Sequence, residues 1–530
     1  MIFRGPFPEV TVPDIPLTPV VMRRAQELAD KPALIEAPTG RVVTYSELAK
    51  SIQSVAGNLA KRGFKKGDVV GILSPNIPEY AMAFHGVASL GGINTTLNPL
   101  YTEHEITQQL KDSHARFLVT APDFLDKARA AAKAAKIEEL FVFGEAGQDS
   151  IGATPFAELL SGDPEVPAVE INPREDLVAL PYSSGTTGLP KGVMLTHHNL
   201  VANIKQMEGL CYFVENDTLI CVLPLFHIYG LVVILNMGLY TGATIVMMPR
   251  FDLEQFLKAV SKYHVTLAHL VPPIVLALSK HPIVDDYDLS TLKTIFSGAA
   301  PLGESLTRAC MERLNCEVRQ GYGMTETSPV THSSPPNKEG IKFGSVGVCA
   351  PNTECKIVDL ETGATLGPNQ EGEICVRGPQ IMKGYLNRPD ATAETIDSEG
   401  WLHTGDIGYA DPDGHFYIVD RAKELIKYKG LQVAPAELEA ILLTHEAIAD
   451  AAVIPCPDDE AGEVPKAYVV LRSDATPEEI MSYVESRVAP HKKLRGVEFI
   501  DKIPKSPSGK ILRRMLVQAE RERKLQSNVA

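Results

Sequence analysis

Apolar and polar residues alternate along the first two thirds of the chain in blocks typical of helices and buried strands. Residues 45–61 carry apolar side chains at helical spacing, and the apolar runs 68–73 and 115–120 predict strands. The pattern continues with a helix at 197–207 and with strands at 177–180, 218–223, 243–248, 265–271, 294–297 and 318–323. Such alternation predicts parallel sheets covered by helices, so the expected fold class is α/β.

The pattern changes twice in the last third of the chain. Residues 344–420 contain short β-like runs separated by Gly, Pro and Asp-Gly turns, which predict a β-barrel-like subdomain or a covering sheet. The remaining residues have apolar faces of their own, with strands at 425–428, 449–455, 467–471 and 497–499, helices at 435–443 and 477–488, and a basic helix at the end. We therefore predict a large N-terminal domain (1–420), a small α+β domain (421–530) and a hinge near 420–423.

Composition excludes several classes of protein. A hydrophobic content of 44% and a mean hydropathy of −0.02 are those of a soluble globular protein. The apolar segment 228–249 is interrupted by Gly238 and Thr241-Gly242, so it predicts a buried helix, a turn and a strand and no stable membrane insertion. We expect a cytoplasmic protein with reduced thiols, because its eight cysteines form no C-x-x-C pair and its N-terminus lacks the apolar core of a signal peptide.

The charge is unevenly distributed. A net charge of −15 argues against nucleic acid as the main partner. From Arg487 onward, however, the sequence contains twelve Lys and Arg residues and four Asp and Glu residues. This basic tail is either a surface for anions such as ATP and coenzyme A or a solvated helix face. The sequence leaves open whether the protein is a monomer or a homodimer.

A loop rich in glycine and hydroxyl groups has the composition of a phosphate-binding site. It lies between the predicted strand 177–180 and the predicted helix 197–207, which is a common setting for anion binding. It is not a Walker A loop, because Leu189-Pro190 separate the last glycine from the lysine. Its candidate phosphate contacts are Ser183, Ser184, Gly185, Thr186, Thr187, Gly188 and Lys191.

The stretch 183–192, SSGTTGLPKG, resembles the signature loop of the adenylate-forming enzymes, which include acyl-CoA synthetases, firefly-type luciferases and peptide adenylation domains. Four further stretches resemble motifs of this superfamily in its order: 320–326 (QGYGMTE), 404–406 (TGD), 420–430 and 504–510 (PKSPSGK). The resemblance covers nearly the whole chain. It implies a two-step reaction with ATP, Mg²⁺ and coenzyme A, in which an acid first becomes an acyl-adenylate and a mobile small domain then rotates to form the thioester.

The resemblance also implies roles for individual residues. The second nucleotide motif contributes Gln320, Gly321, Tyr322 and Thr325, with Tyr322 against adenine; Asp406 and Arg421 bind the ribose; and Glu326 and Thr187 hold the metal. Lys510 bridges the carboxylate and the α-phosphate, and His227 orients the acid or gates its pocket. For the second step it implies Lys427 and Gln432 at the thioester, Lys429 and Gly430 at coenzyme A, and Lys423 at the hinge. Arg250 either binds the phosphates of coenzyme A or is a surface arginine.

Within the superfamily the chain is most similar to the 4-coumarate and cinnamate:CoA ligase branch, through GEICVRG at 372–378 and FHIY at 226–229. The resemblance gives a pocket of Ile228, Tyr229, Val232, Val233, His269, Phe296, Gly298, Ala299, Gly321, Gly323, Pro329, Val330 and Thr331. Plant enzymes tend to have polar side chains where Val232 and Phe296 stand. We therefore expect unsubstituted cinnamate, other aryl acids or medium-chain fatty acids to fit better than a polyhydroxylated ring.

Four other readings remain open from sequence alone. A fatty-acyl-CoA synthetase shares every motif, a luciferase-like oxygenase shares the loop and Lys510, and an adenylation module would load a carrier protein. A noncatalytic nucleotide-binding scaffold is the alternative from another class. The presence of both Lys510 and Glu326 argues against a loss of catalysis.

Overall fold

The computed structural model describes residues 1–144, 152–183, 190–210, 213–428, 431–458, 461–506 and 509–527, and gives the backbone alone at 338, 432 and 524–527. The described residues form four sheets and the helices that pack on them. The helices are Leu17–Val21, Tyr45–Lys61, Pro78–Ser89, Glu103–Asp112, Leu125–Ala135, His197–Gly209, Met237–Thr241, Leu253–Tyr263, Pro272–Lys280, Glu304–Leu314, Pro389–Thr395, Pro435–Leu442, Pro477–Glu485 and Arg513–Ser527. The predicted α/β class, with a large N-terminal domain and a smaller C-terminal domain, is confirmed.

The first sheet has a parallel centre and an antiparallel edge. Its described strands follow the order Tyr182–Ser183, Lys191–Thr196, Leu177–Ala179, Ile93–Leu97, Val69–Leu73, Ala115–Thr120, Glu139–Val142 and Thr154–Pro155, and Gly384–Tyr385 joins at Lys191–Thr196. Tyr182 pairs with Gly192 and Ser183 with Lys191 in antiparallel register. The strand–loop–helix prediction is therefore wrong in one respect, because the strand Lys191–Thr196 separates the loop from the helix His197–Gly209.

The second sheet carries most of the strand ends that face the site. Its order is Val348–Cys349, Val330–Ser333, Glu317–Gly323, Thr294–Ser297, Leu267–Leu270, Thr218–Cys221, Thr244–Met247, Pro32–Glu36 and Val42–Thr44. The central strands are parallel, with His269 beside Phe296 in register. One large apolar core joins this sheet to the first. The carboxyl ends of these strands thus meet at one edge, as expected for a ligand site in an open sheet.

The third sheet is open. Its described strands follow the linear order Ile2–Arg4, Glu354–Val358, Gly372–Arg377, Leu402–Ala410 and Phe416–Arg421, all antiparallel. A closed barrel is therefore not formed, and the expectation of a barrel-like subdomain is corrected to a covering sheet.

The C-terminal domain has a core of its own. Its sheet pairs Leu431–Val433, Ile426–Tyr428, Gly462–Leu471 and Ile448–Asp458, with Gly496–Phe499 parallel to Gly462–Leu471. Buried residues such as Ile426, Leu438 and Val469 form an apolar cluster separate from that of the large domain. The position of the predicted domain boundary, near 420–423, stays a prediction.

The apolar segment after His227 is protein core. It forms a π-helix at Tyr229–Asn236, an α-helix at Met237–Thr241 and a strand at Thr244–Met247, with Gly242 in the left-handed region between them. This agrees with the predicted helix, turn and strand. None of the described helices combines the length and the apolarity that a bilayer crossing needs.

Candidate active site

A cavity enclosing about 730 Å³ of empty space, including its open mouth, lies at the carboxyl edge of the second sheet. It is lined by Met207, Leu210, Phe213, His227, Tyr229, Val233, His269, Phe296, Gly298, Ala299, Gly321, Tyr322, Gly323, Met324, Thr325, Pro329, Val330, Ser333 and Lys510. Lys510 comes from the small domain and the other lining residues come from the large domain. The cavity is thus closed by residues that are far apart in sequence.

The loop that carries Lys510 is held by its own hydrogen bonds. The amide of Lys510 donates to Oγ of Ser506 at 3.1 Å, and its carbonyl accepts from the Ser506 amide at 2.8 Å. Gly509 adopts a φ of +79°, and a Cβ there would lie 3.0 Å from a methyl of Val271 in the large domain. Glycine at this position therefore permits both the turn and the close approach of the two domains.

The charge of Lys510 is set by burial and by its neighbours. Burial and the positive charge of Arg421 lower its pKa, while the carboxylates of Asp406, Glu326 and Glu424 act in the opposite direction. A desolvated ammonium is stabilised by opposite charge. It is therefore well placed to interact with an anionic ligand in the cavity.

Asp406 links the covering sheet to the cavity. Its carboxylate accepts a hydrogen bond of 2.6 Å from the hydroxyl of Tyr322, and Nε of Arg421 lies 3.5 Å from its other oxygen. Burial raises the pKa of Asp406, and Arg421 opposes that shift. The structure thus brings together three residues that the resemblance assigns to one nucleoside.

The loop that precedes Asp406 is supported by Glu373. One oxygen of Glu373 accepts from the Gly405 amide at 2.9 Å, and the other lies 2.8 Å from Nδ1 of His403. Oγ1 of Thr404 donates to the Ile374 carbonyl at 2.7 Å. Sequence analysis missed this role of Glu373, although the residue lies in the GEICVRG stretch that carries the resemblance.

Glu373, Cys375 and His403 also form a group whose candidate ligand atoms lie within 4.8 Å of one another. Hydrogen bonding to Cys375 and Glu373 raises the pKa of His403 to about 10. The hydrogen bonds of Glu373 within this group support the 403–406 turn.

Glu326 is the candidate metal ligand that the structure describes. Its side chain is 2% exposed, and the hydroxyl of Tyr385 donates to Oε1 at 2.9 Å. Nζ of Lys191, from the phosphate-loop hairpin, lies 4.9 Å from the centre of the same tyrosine ring. Tyr385 therefore connects the candidate metal ligand to the candidate phosphate lysine.

Gln320, which the resemblance assigns to the nucleotide, forms hydrogen bonds within the protein. Its side chain accepts from the amide of Leu302 and donates to the carbonyl of Leu302.

His227 is a neutral imidazole at the cavity wall. Burial and the nearby Lys510 charge lower its pKa to about 3. Nδ1 accepts a hydrogen bond of 3.2 Å from the Tyr229 amide, so the ring proton lies on Nε2. His227 can therefore donate a hydrogen bond, and a proton-accepting role is disfavoured.

The cavity wall differs from the predicted acid pocket at several positions. Ile228, Val232 and Thr331 are no more than 1% exposed and are not among its lining residues. On the π-helix both Val232 and Val233 belong to the apolar core, and Val233 is the one of the two that lines the cavity. Sequence analysis also missed five lining residues: Met207, Leu210, Phe213, Met324 and Ser333.

The described residues predicted for the second step, Lys427, Lys423 and Arg250, are not among the residues that line the cavity. Lys427 is exposed on the strand Ile426–Tyr428, where its amide donates to Glu463, and its strand partner is Gln432. Lys423 and Arg250 are exposed as well. Of the remaining predicted residues, Ser184, Gly185, Thr186, Thr187, Gly188, Lys429 and Gly430 lie outside the described residues, as does the side chain of Gln432.

Two domains closed over one cavity, with a lysine of the small domain in its wall, define the architecture of an AMP-binding enzyme. The family of AMP-binding enzymes matches residues 21–386, and the C-terminal domain of AMP-binding enzymes matches residues 437–510. The chain belongs to this family. Its activity is that of an ATP-dependent acid:CoA ligase, which forms an acyl-adenylate and then a CoA thioester.

Relatives and solved structures agree with this membership. The chain is 48% identical to 4-coumarate–CoA ligase 1 of Petroselinum crispum, with 97% of this chain and 96% of that protein covered. It is 47% identical to 4-coumarate–CoA ligase 1 of Solanum tuberosum at the same coverage. Its fold is similar to that of the anthranilate CoA ligase AuaEII in complex with anthranoyl-AMP, with a TM-score of 0.87, 27% identity and coverage of 95% and 97%. For o-succinylbenzoate CoA synthetase from Bacillus subtilis in complex with its acyl-adenylate the TM-score is 0.82, the identity 32% and the coverage 95% and 98%.

Proposed function

We propose that the acid activated by this enzyme is an aryl propenoic acid of the 4-coumarate type. The observation that carries the proposal is the cavity, where the aromatic side chains Phe213, Tyr229 and Phe296 lie in the same wall as Lys510. A flat ring fits between aromatic walls, and the carboxylate that continues from it is drawn to the ammonium. The similarity to 4-coumarate–CoA ligases along 97% of the chain supports the same acid.

In the first step, a carboxylate oxygen of the acid attacks the α-phosphorus of ATP, and the bond to the bridging oxygen of pyrophosphate breaks. Lys510 interacts with the negative charge that the carboxylate and the α-phosphate bring together. His227 donates from Nε2 to the acid and holds its carboxylate in line. Asp406 binds the ribose hydroxyls, and Tyr322 lies against the adenine.

Magnesium is the ion that the site fits. Glu326 offers a buried carboxylate with one oxygen fixed by Tyr385, and hard oxygen ligands suit Mg²⁺. We propose that Glu326 holds it, with Thr187 as a second contact. When bound, the ion would neutralise charge on the phosphates of ATP.

In the second step, the thiol of coenzyme A attacks the acyl carbon, the bond to the AMP oxygen breaks and the thiol proton is released. We propose that the small domain rotates about residues 420–423 for this step. The face that carries Lys427 and Gln432, with Lys429, Gly430 and Arg250 at coenzyme A, then replaces Lys510. We further propose a cytoplasmic location, since all seven described cysteines are free thiols.

Two half-reaction assays test the proposal. Lys510→Ala should lose pyrophosphate release while retaining thioester formation from supplied acyl-AMP, and Lys427→Ala should show the reverse. Lys502→Ala, an exposed lysine near Lys510, is the matched control and should change neither. Equal loss of both half-reactions in both variants would contradict the two-face mechanism.

A pyrophosphate-release screen over 4-coumarate, cinnamate, benzoate and octanoate, with and without coenzyme A, tests the acid. We expect cinnamate-type acids to give the highest kcat/KM. A preference for octanoate would favour the fatty-acyl-CoA synthetase reading instead.

A further inference from the structure

His269 places a polar group inside the aromatic part of the cavity wall. It lies on the strand Leu267–Leu270 and is 2% exposed. Its ring stacks with Phe213, at 5.6 Å and 12°, and with Phe296, at 5.2 Å and 15°. The strand fixes the side-chain direction and the two rings fix the plane of the imidazole. A histidine held in this way has its two nitrogens at defined positions.

Only one of those nitrogens has a partner among the described residues. Nδ1 lies 3.1 Å from the hydroxyl of Tyr229, whereas Nε2 is buried and has no hydrogen-bond partner. Burial lowers the pKa of His269 to about 3, so the ring is neutral near pH 7. Buried polar atoms are nearly always paired, and leaving one unpaired costs free energy. Nε2 has almost no accessible surface in the empty cavity, so an oxygen of the bound acid supplies the missing partner once the cavity wall shifts to expose this atom.

We propose that Nε2 of His269 binds an oxygen at the end of the acid remote from the carboxylate, namely a ring hydroxyl of a cinnamate-type acid. This inference rests on the proposed function. Lys510 and His227 also line the cavity. We assign the carboxylate to these two polar groups and the aryl end to the stacked rings. A hydroxyl both donates and accepts, so it satisfies Nε2 in either neutral tautomer of His269. A hydrogen or a methyl group at that position leaves Nε2 unpaired.

The inference reverses the preference expected from sequence alone. The sequence predicts that the acid pocket lacks partners for ring hydroxyls, because Val232 and Phe296 stand where plant enzymes tend to have polar side chains. Val232 lies in the core, and Phe296 stacks on a histidine that itself offers a polar atom. A site built to bind a hydroxyl rejects analogues that lack it, because its own polar group then stays unpaired.

The experiment compares kcat/KM for adenylation of 4-coumarate, cinnamate and 4-methylcinnamate. The methyl compound matches 4-coumarate in size and cannot form the hydrogen bond. We expect the native enzyme to prefer 4-coumarate over the methyl compound by roughly tenfold to a hundredfold. His269→Phe, which keeps an aromatic ring, should bring the ratio of the two kcat/KM values close to one. His269→Gln should recover part of the preference, and His104→Phe, an exposed site, should leave it unchanged.

An unchanged ratio in His269→Phe would overturn the inference, as would a native preference for the methyl compound. If His269→Phe does not fold, the native enzyme alone can test the inference. Its affinities are then measured for two nonreactive acyl-sulfamoyl adenosines, one with a ring hydroxyl and one with a methyl group in its place. Equal affinities would overturn the inference, and tighter binding of the hydroxylated analogue would support it. Failure of the proposed function is distinguishable, since the native enzyme would then release pyrophosphate with none of the three acids.

Discussion

Substitution of Gly509 by alanine tests whether Lys510 reaches the cavity only through a close contact between the domains. Gly509 has a φ of +79°, and a Cβ built there would lie 3.0 Å from Cγ2 and 3.2 Å from Cβ of Val271. Gly509 belongs to the small domain and Val271 to the large one. The steric conflict therefore exists only in the arrangement that brings Lys510 to the cavity.

Two separate free-energy costs follow from this geometry. A non-glycine residue in the left-handed region costs roughly 1–2 kcal/mol, whatever the position of the small domain. The contact with Val271 adds an overpacking cost of about 1–3 kcal/mol in the adenylating arrangement alone. The second cost corresponds to a fall of roughly 5- to 150-fold in the rate of adenylation. The thioester step should be spared, since it uses the other face of the small domain.

The assay measures pyrophosphate release and, separately, thioester formation from supplied acyl-AMP. Gly509→Ala should slow only the first, and the added Val271→Ala substitution should restore part of the rate by removing the opposing methyl groups. Gly414→Ala is the matched control, because Gly414 has a φ of +81° and nothing within 4 Å of a Cβ. Equal slowing of both steps, or no rescue by Val271→Ala, would refute the reasoning.

Three further outcomes are expected. Glu373→Gln should raise the KM for ATP about tenfold or more. The variant loses the charged acceptor for the Gly405 amide, a contact worth roughly 1.5–3 kcal/mol. An unchanged KM for ATP in a folded variant would contradict this expectation. Tyr322→Phe should raise the KM for ATP about 2- to 10-fold through loss of its bond to Asp406, and pyrophosphate-release kinetics give the value. Burial lowers the pKa of four histidines to about 3 or 4, namely His85, His197, His227 and His269. The folded state then binds fewer protons than the unfolded state, so stability should fall as pH drops below about 6.5, by up to about 1.4 kcal/mol per pH unit for each histidine. Urea unfolding at pH 7.5 and 5.5 measures the loss, which should be smaller in His85→Phe; equal stability at both pH values would rule this mechanism out.

Sequence periodicity predicts the regular elements well where burial repeats along a segment. The helix Tyr45–Lys61 and the strands Ala115–Thr120 and Thr294–Ser297 begin and end where the pattern indicates. In each case the apolar period matches the element's own geometry, and tertiary contacts do not oppose it. The large-domain α/β class follows from the same signal.

Local pattern fails where the direction of a side chain depends on distant packing. Val232 and Val233 are adjacent and both apolar, yet only Val233 lines the cavity, because the segment forms a wide π-helix. The six residues before the helix His197–Gly209 likewise form a hairpin strand, Lys191–Thr196, that the sequence analysis did not predict after the phosphate loop. Neither the side-chain directions on the π-helix nor the hairpin strand can be predicted without the elements that pack against them.

The candidate site shows the same division. Motif residues such as Lys510 and Asp406 could be found from sequence because their chemistry requires particular residue types at fixed spacing. Glu373 could not, because its importance comes from its contact with the Gly405 amide. His269 was placed in the pocket by resemblance, but its stacking between the Phe213 and Phe296 rings could not be predicted. The chemistry that all members of the family share is thus encoded in local motifs. The choice of acid depends on contacts between strands, so two chains with the same motifs can activate different acids.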